Sequence, residues 1–109
     1  MSELNFVTHN DKNIECSGTH LQGYIESKFE KLVLLFGEPI GGDGYKTDAE
    51  WEIEWNDGVI STIYNWKDGK NYCGDDGSDV EDITEWHVGG FDKNAVSYVE
   101  LYLKGFYNV

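Results

Sequence analysis

Three glutamates, Glu50, Glu52 and Glu54, alternate with Trp51, Ile53 and Trp55 in a run that reads as a β-strand. Residues two apart in a strand share a face, roughly 6.7 Å from one another. The three carboxylates therefore form a row whose spacing is comparable to that of phosphates along a nucleic-acid strand. Such a row can occupy a basic groove in place of a phosphate backbone. The plain alternative is a solvated outer face. Glutamate is a poor strand former and like charges repel, so the row carries a cost. The neighbours expected across the hairpin are Ser61, Ile63 and Asn65, none of them basic.

A second group of acids, Asp75, Asp76, Asp79, Glu81 and Asp82, crowds the segment 74–82. A calcium loop needs alternating acids, then glycine at its sixth position and glutamate at its twelfth, and this segment departs from that pattern. It reads as another part of the same negative field. Cys16 and His20 are spaced like half of a zinc site, but Cys73 and His87 lie too far apart to complete a standard one. No metal and no cofactor is assigned. His87, next to Trp86 and ahead of Gly89-Gly90, is the best general-base candidate, yet no Ser or Cys nucleophile stands near it in the sequence. The reading is accordingly non-enzymatic. Gly41-Gly42-Asp43-Gly44 has the glycines of a phosphate loop without its Lys-Ser/Thr ending, and reads as a linker.

The aromatics offer an alternative site. Tyr64, Trp66, Tyr72 and Trp86 could stack on a nucleotide base, with Lys67 and Lys70 for its phosphates and His87 beside them. The competing assignment for these rings is core.

These groups need elements to carry them. Asp57-Gly58 between two alternating runs predicts a hairpin over 48–66 with a two-residue turn. In that register Trp55 faces Ile60, Ile53 faces Thr62, Trp51 faces Tyr64 and Ala49 faces Trp66. The tryptophans turn inward, and the glutamates turn to water beside Ser61, Ile63 and Asn65. Ser27 and Glu30 form a capping box that opens a helix, with Phe29, Leu32, Val33 and Phe36 on one face and Gly37 and Pro39 at its end. Asp92 is the expected N-cap of a second helix over 93–104, with Ala95, Val96, Val99, Tyr102 and Leu103 as its stripe. Short strands are expected at 12–16, 20–25 and 83–88, with Gly89-Gly90 ending the last. Residues 1–11 read as a frayed arm or a weak edge strand. The economical assembly is one α+β domain over 1–109: a two-layer fold with an antiparallel sheet of three to five strands and two helices on one face.

Composition narrows the function classes. The chain has 109 residues and a formal net charge of −13, from 21 acids against 8 bases, and every base is Lys. Direct nucleic-acid binding relies on a basic footprint, usually rich in Arg, so it is disfavoured, as is an anionic membrane surface. A basic protein partner is favoured, approached by electrostatic steering. No leader or membrane span is apparent, and two cysteines make no disulfide framework, which together suggest a reduced, cytoplasmic setting.

The stretches GTHLQGYI at 18–25, LVLLFGEP at 32–39, DAEWEIEW at 48–55, DGVISTIYNWKDGKNY at 57–72 and ITEWHVGG at 83–90 together resemble a family of small accessory proteins encoded by bacterial viruses. The resemblance implies a context in which such proteins block host defence components. It carries over no site residue. The leading expectation is a non-enzymatic inhibitor of the anti-CRISPR or anti-restriction type. It would bind a basic surface of a host protein through Glu50, Glu52, Glu54 and the 75–82 acids. The alternative is a homodimeric or larger binder that sequesters a nucleotide signal in the aromatic site.

Overall fold

The computed structural model describes residues 5–41, 48–66 and 73–105. Among these residues the chain forms strands β1 (Phe6–Thr8), β2 (His20–Glu26), β3 (Glu50–Trp55), β4 (Ile60–Tyr64) and β5 (Glu85–Gly90), with helices α1 (Phe29–Phe36) and α2 (Asn94–Leu103). The sheet order is β1-β3-β4-β5-β2, and every pairing is antiparallel. Both helices cover one face, giving the expected two-layer α+β fold. Residues 67–72 and 106–109 and most of the 41–44 linker lie outside the described residues.

The core is built where the two helices meet that face. Trp51, Trp55, Trp86, Ile53, Ile63 and Val88 meet Leu32 and Phe36 of α1 and Ala95 and Val99 of α2. The rings cluster at two ends. Phe29 lies against Trp51 and Trp86, while Phe6, Phe36, Trp55 and Tyr102 make edge and tilted contacts with centroids 5.0 to 6.3 Å apart. Edge-to-face pairing suits the ring quadrupole and adds to the burial of apolar area.

The hairpin register differs by one residue from the sequence expectation. The turn is three residues, Asn56-Asp57-Gly58, closed by Trp55 N–H to Val59 O at 2.9 Å and by Gly58 N–H to Trp55 O at 2.9 Å. Gly58 takes the positive φ of 93° that this loop requires at its last position. The extra residue moves β4 by one place, so Trp51 pairs with Ile63, Ile53 with Ser61 and Glu52 with Thr62. Ser61, Ile63 and Asn65 are therefore buried on the tryptophan side. Ile60, Thr62 and Tyr64 stand on the glutamate side, the reverse of the two-residue reading. Trp66 likewise leaves the core and is 40% exposed.

Four further expectations are corrected. Residues 12–16 do not form a strand; they belong to an irregular connection. Ser27 does not cap α1: its N–H donates to Thr84 O, which holds it as a continuation of β2, and its Oγ reaches only Lys28 O. Lys28 is the N-cap residue, with no side-chain cap. Gly89-Gly90 does not end the last strand but lies inside β5. These two residues are glycine because neighbours crowd them. A Cβ on Gly90 would sit 2.4 Å from the Ala95 Cβ, and one on Gly89 would sit 2.6 Å from Thr62 Oγ1. Asp92 accepts a hydrogen bond from Asn94 N–H at 3.0 Å beside the start of α2, one residue before the N-cap Lys93.

Candidate functional site

β1 and β2 follow one another in the sequence but form opposite edges of the sheet. The segment joining them, 9–19, must therefore cross the whole sheet. It does so on the face away from the helices, as a strap. Ile14 is buried beneath it, apart from the helix-side core, and Cys16 is half-buried near Glu50 and Glu52.

The strap changes what the glutamate row can offer. Glu50, Glu52 and Glu54 do turn away from the core, in alternation with buried Trp51, Ile53 and Trp55. All three are half-buried, however, and do not form a bare platform. Lys12 Nζ reaches Glu54 Oε1 at 2.7 Å, so one carboxylate of the row has an ammonium partner. His9 Nδ1 accepts from Glu52 N–H at 3.3 Å while its Nε2 donates to Glu38 O at 2.9 Å, which ties the strap's start to β3 and to the end of α1.

The second acidic group lies elsewhere. Gly74–Asp76 and Val80–Asp82 are single turns of 3-10 helix, and Cys73 opens the first. Val80 packs on the helix-side core, and the second turn contacts α1. The structure thus does not merge the two acidic groups into one surface: the glutamates face the strap, and the loop is anchored in the helix layer. Asp75, Asp76, Asp79, Glu81 and Asp82 are all exposed.

The aromatic candidates separate as well. Trp86 is fully buried in the core, and its indole Nε1–H donates to Ser27 O at 3.0 Å, so it lines no ligand site. Lys67, Lys70 and Tyr72 lie outside the described residues. Tyr64, Trp66 and His87 do come together on the strap face. Tyr64 and Trp66 meet edge to face at 6.2 Å, Tyr64 and His87 at 5.5 Å, and Tyr24 of β2 closes on His87 at 4.9 Å.

Beside these rings is a cleft of about 320 Å³. Gly89 and Thr62 line it from the sheet, with Thr62 Oγ1 filling the place where a side chain on Gly89 would stand. Cys16, Thr19 and His20 close it from the strap side, and Glu50, Tyr64 and Trp66 from the other. The local field is negative. Burial first, then the charges of Glu52 and Glu50, push the Cys16 thiol up to about 12. The Tyr64 phenol is also raised, by burial and then by Glu50. A thiol held protonated is a weak nucleophile near neutral pH. The site can stack, accept hydrogen bonds and attract positive charge. Sequence reasoning missed Cys16, Thr19, His20, Thr62 and Gly89 here, because the off-by-one register placed Thr62 in the core and because strand order is not written in local pattern. A glycine pair within an apolar strand was the available signal.

Comparison with protein-family models, curated proteins and solved structures gives no match.

Proposed function

We propose that the chain is a binding protein rather than an enzyme, and that it captures a basic, nucleic-acid-handling host protein through its negative charge. In this reading it acts in the host cytoplasm as an inhibitor of the anti-CRISPR or anti-restriction type, the role that its resemblance to viral accessory proteins implies. The observation that carries the reading is the acidic segment 74–82. Two single turns present exposed carboxylates, and Asp75, Asp76, Glu81 and Asp82 make no ion pair with any described residue. Within a chain of net charge −13 that lacks Arg, this segment is a steering and docking element for a cationic surface. The half-covered glutamates add to the field without being the main contact.

The test is capture from a host lysate at low salt, with elution at high salt. A basic nucleic-acid-handling protein should be retained by the natural chain and released by salt. It should be lost from a variant carrying Asp75→Asn, Asp76→Asn, Glu81→Gln and Asp82→Asn. Gel-shift competition should then show the captured protein released from its nucleic acid. Equal retention by the neutralised variant would defeat the reading.

The second reading, sequestration of a nucleotide, draws on the Tyr64 and Trp66 rings at the cleft. Glu50 in the same lining opposes a phosphate, and there is no Lys among the described lining residues. A thermal-shift panel of linear and cyclic nucleotides distinguishes the two readings, since a tightly bound ligand raises the melting temperature.

A further inference from the structure

We infer that the outer edge of β2 is a docking strand for an extended, basic segment of a partner protein, which joins the sheet by antiparallel backbone pairing. This inference rests on the charge-capture reading above and gives the partner a place and a conformation.

Hydrogen-bond direction comes first. β2 ends the sheet order, and Ser27 N–H donates to Thr84 O on the β5 side. Bonded and non-bonded pairs alternate along an antiparallel ladder. In the register that pairs Gly23 with Val88 and Ile25 with Trp86, Gly23 and Ile25 therefore turn their backbone groups toward β5. Tyr24 and Glu26 turn theirs outward, and no described residue bonds to them there. Such an edge is a template for another strand, and proteins usually blunt it with Lys, Pro, a bulge or short length. β1, at the other edge, has only three residues. β2 has seven, with neither Lys nor Pro. Its one irregularity lies between Leu21 and Gly23, which leaves 23–26 regular.

The side chains along this edge specify the segment that fits. Tyr24 and Glu26 stand on the strap face by alternation, and Tyr24 is 54% exposed. Glu26 lies directly opposite Glu85. Both are exposed, and neither makes an ion pair with any described residue. Like charges facing each other across a ladder repel. A Lys or Arg opposite Glu26 on an added strand reaches both carboxylates, since neighbouring strands lie only about 4.8 Å apart. The residue opposite Ile25 turns to the helix side instead. A cleft of about 350 Å³ opens there between the start of α1 and the end of α2, with Ile25 and Leu103 in its lining. Lys28, Lys31 and Lys104 outnumber Glu26 and Glu100 around it, so this position favours an aliphatic side chain over a cation. The fitting segment thus alternates cationic and aliphatic residues. A second copy of this chain fits less well, because it brings another charge of −13 to the same edge.

The experiment uses the full chain and the peptide acetyl-Lys-Val-Lys-Val-Lys-amide. One control peptide replaces each Lys by Glu. The other is N-methylated at the backbone of each Lys, which keeps the charge and blocks strand pairing. Binding is followed by nitrogen-15 NMR and amide hydrogen exchange. The lysine peptide should slow exchange at Tyr24 and Glu26, and neither control should. Glu26→Gln with Glu85→Gln should weaken its binding about threefold or more. Glu38→Gln removes one exposed charge at the end of α1 and should change it less than about twofold. No binding of the lysine peptide, equal binding of its N-methylated form, or binding that leaves Tyr24 and Glu26 unprotected overturns the docking strand and leaves charge capture standing. Protection of these amides in the free chain that rises with protein concentration gives the edge to a second copy and also overturns it. Edge protection by the lysine peptide alongside failed lysate capture supports the docking strand and removes the charge-capture reading instead.

Discussion

Trp55 and Ser61 are joined inside the core: the indole Nε1–H donates to Ser61 Oγ at 2.8 Å, and that hydroxyl donates onward to Ala95 O at 2.8 Å. One small polar residue thereby links β3, β4 and α2. Ser61→Ala strands the indole N–H in a fully buried position. A buried donor without an acceptor costs about 1–3 kcal/mol. Urea unfolding followed by tryptophan fluorescence should show a lowered midpoint with an unchanged slope.

Gly90 offers a harder test of close packing. A methyl group there meets the Ala95 Cβ at 2.4 Å and Ile60 O at 2.8 Å, so part of the clash is with backbone that cannot swing away. Gly90→Ala should cost about 3 kcal/mol or more, at or beyond the upper end for overpacking. Adding Ala95→Gly should recover only part of the loss, because Ile60 O remains. Thermal melts of the two variants and the parent check this ordering.

Asn65 is fully buried and acts as a clamp. Its Oδ1 accepts from Asp48 N–H at 2.6 Å and Ala49 N–H at 3.1 Å, and its Nδ2 donates to Asp48 Oδ1 at 3.0 Å. Asn65→Leu has a similar size but satisfies none of these groups. It should destabilise by about 2–4 kcal/mol, since at least two backbone donors lose their acceptor. Hydrogen exchange should then accelerate at Asp48 and Ala49 before the rest of β3.

Alkaline pH should loosen the fold from the strap side. Cys16 is raised from 9.0 to about 12 in the folded protein. An acid raised on folding stabilises fully below its unfolded value and loses that contribution as pH climbs toward the folded one. Stability should therefore decline between about pH 9 and pH 12, with Tyr64, raised in the same direction, adding to the loss. At pH 8 the Cys16 thiolate fraction is on the order of one in ten thousand. Iodoacetamide should label exposed Cys73 well before Cys16. Glu50→Gln with Glu52→Gln should speed Cys16 labelling modestly, because burial is the larger cause of its shift.

Much of this architecture is legible in local pattern. The alternation from Glu50 to Trp55 locates β3 and its inward tryptophans, and the apolar stripes of 29–36 and 94–103 locate both helices. The misreadings share a physical origin in turn length and strand order. Asn56-Asp57-Gly58 and Asp57-Gly58 are equally good local signals, yet they differ by one residue and exchange the two faces of β4. The strap across the glutamates follows from β1 and β2 lying at opposite edges, which is decided by pairing between residues far apart in the chain. The candidate site suffered most, because it combines both errors. Trp86 was placed in it and belongs to the core, while Cys16 and Gly89, read in the sequence only as half of a zinc spacing and as a strand-ending glycine, belong to it.

The arrangement that sends the strap across the sheet also governs when the protein can be made whole. β1 finds its partner only in β3, and β2 waits for β5, so that Ile25 stays unmatched until Trp86 has been synthesised. A nascent chain thus carries β2 without its partner until β5 has been made. Assembly must wait for β5, at the slow end for a domain of this size. Fragments ending before Glu85 should show neither protected amides nor a cooperative melt.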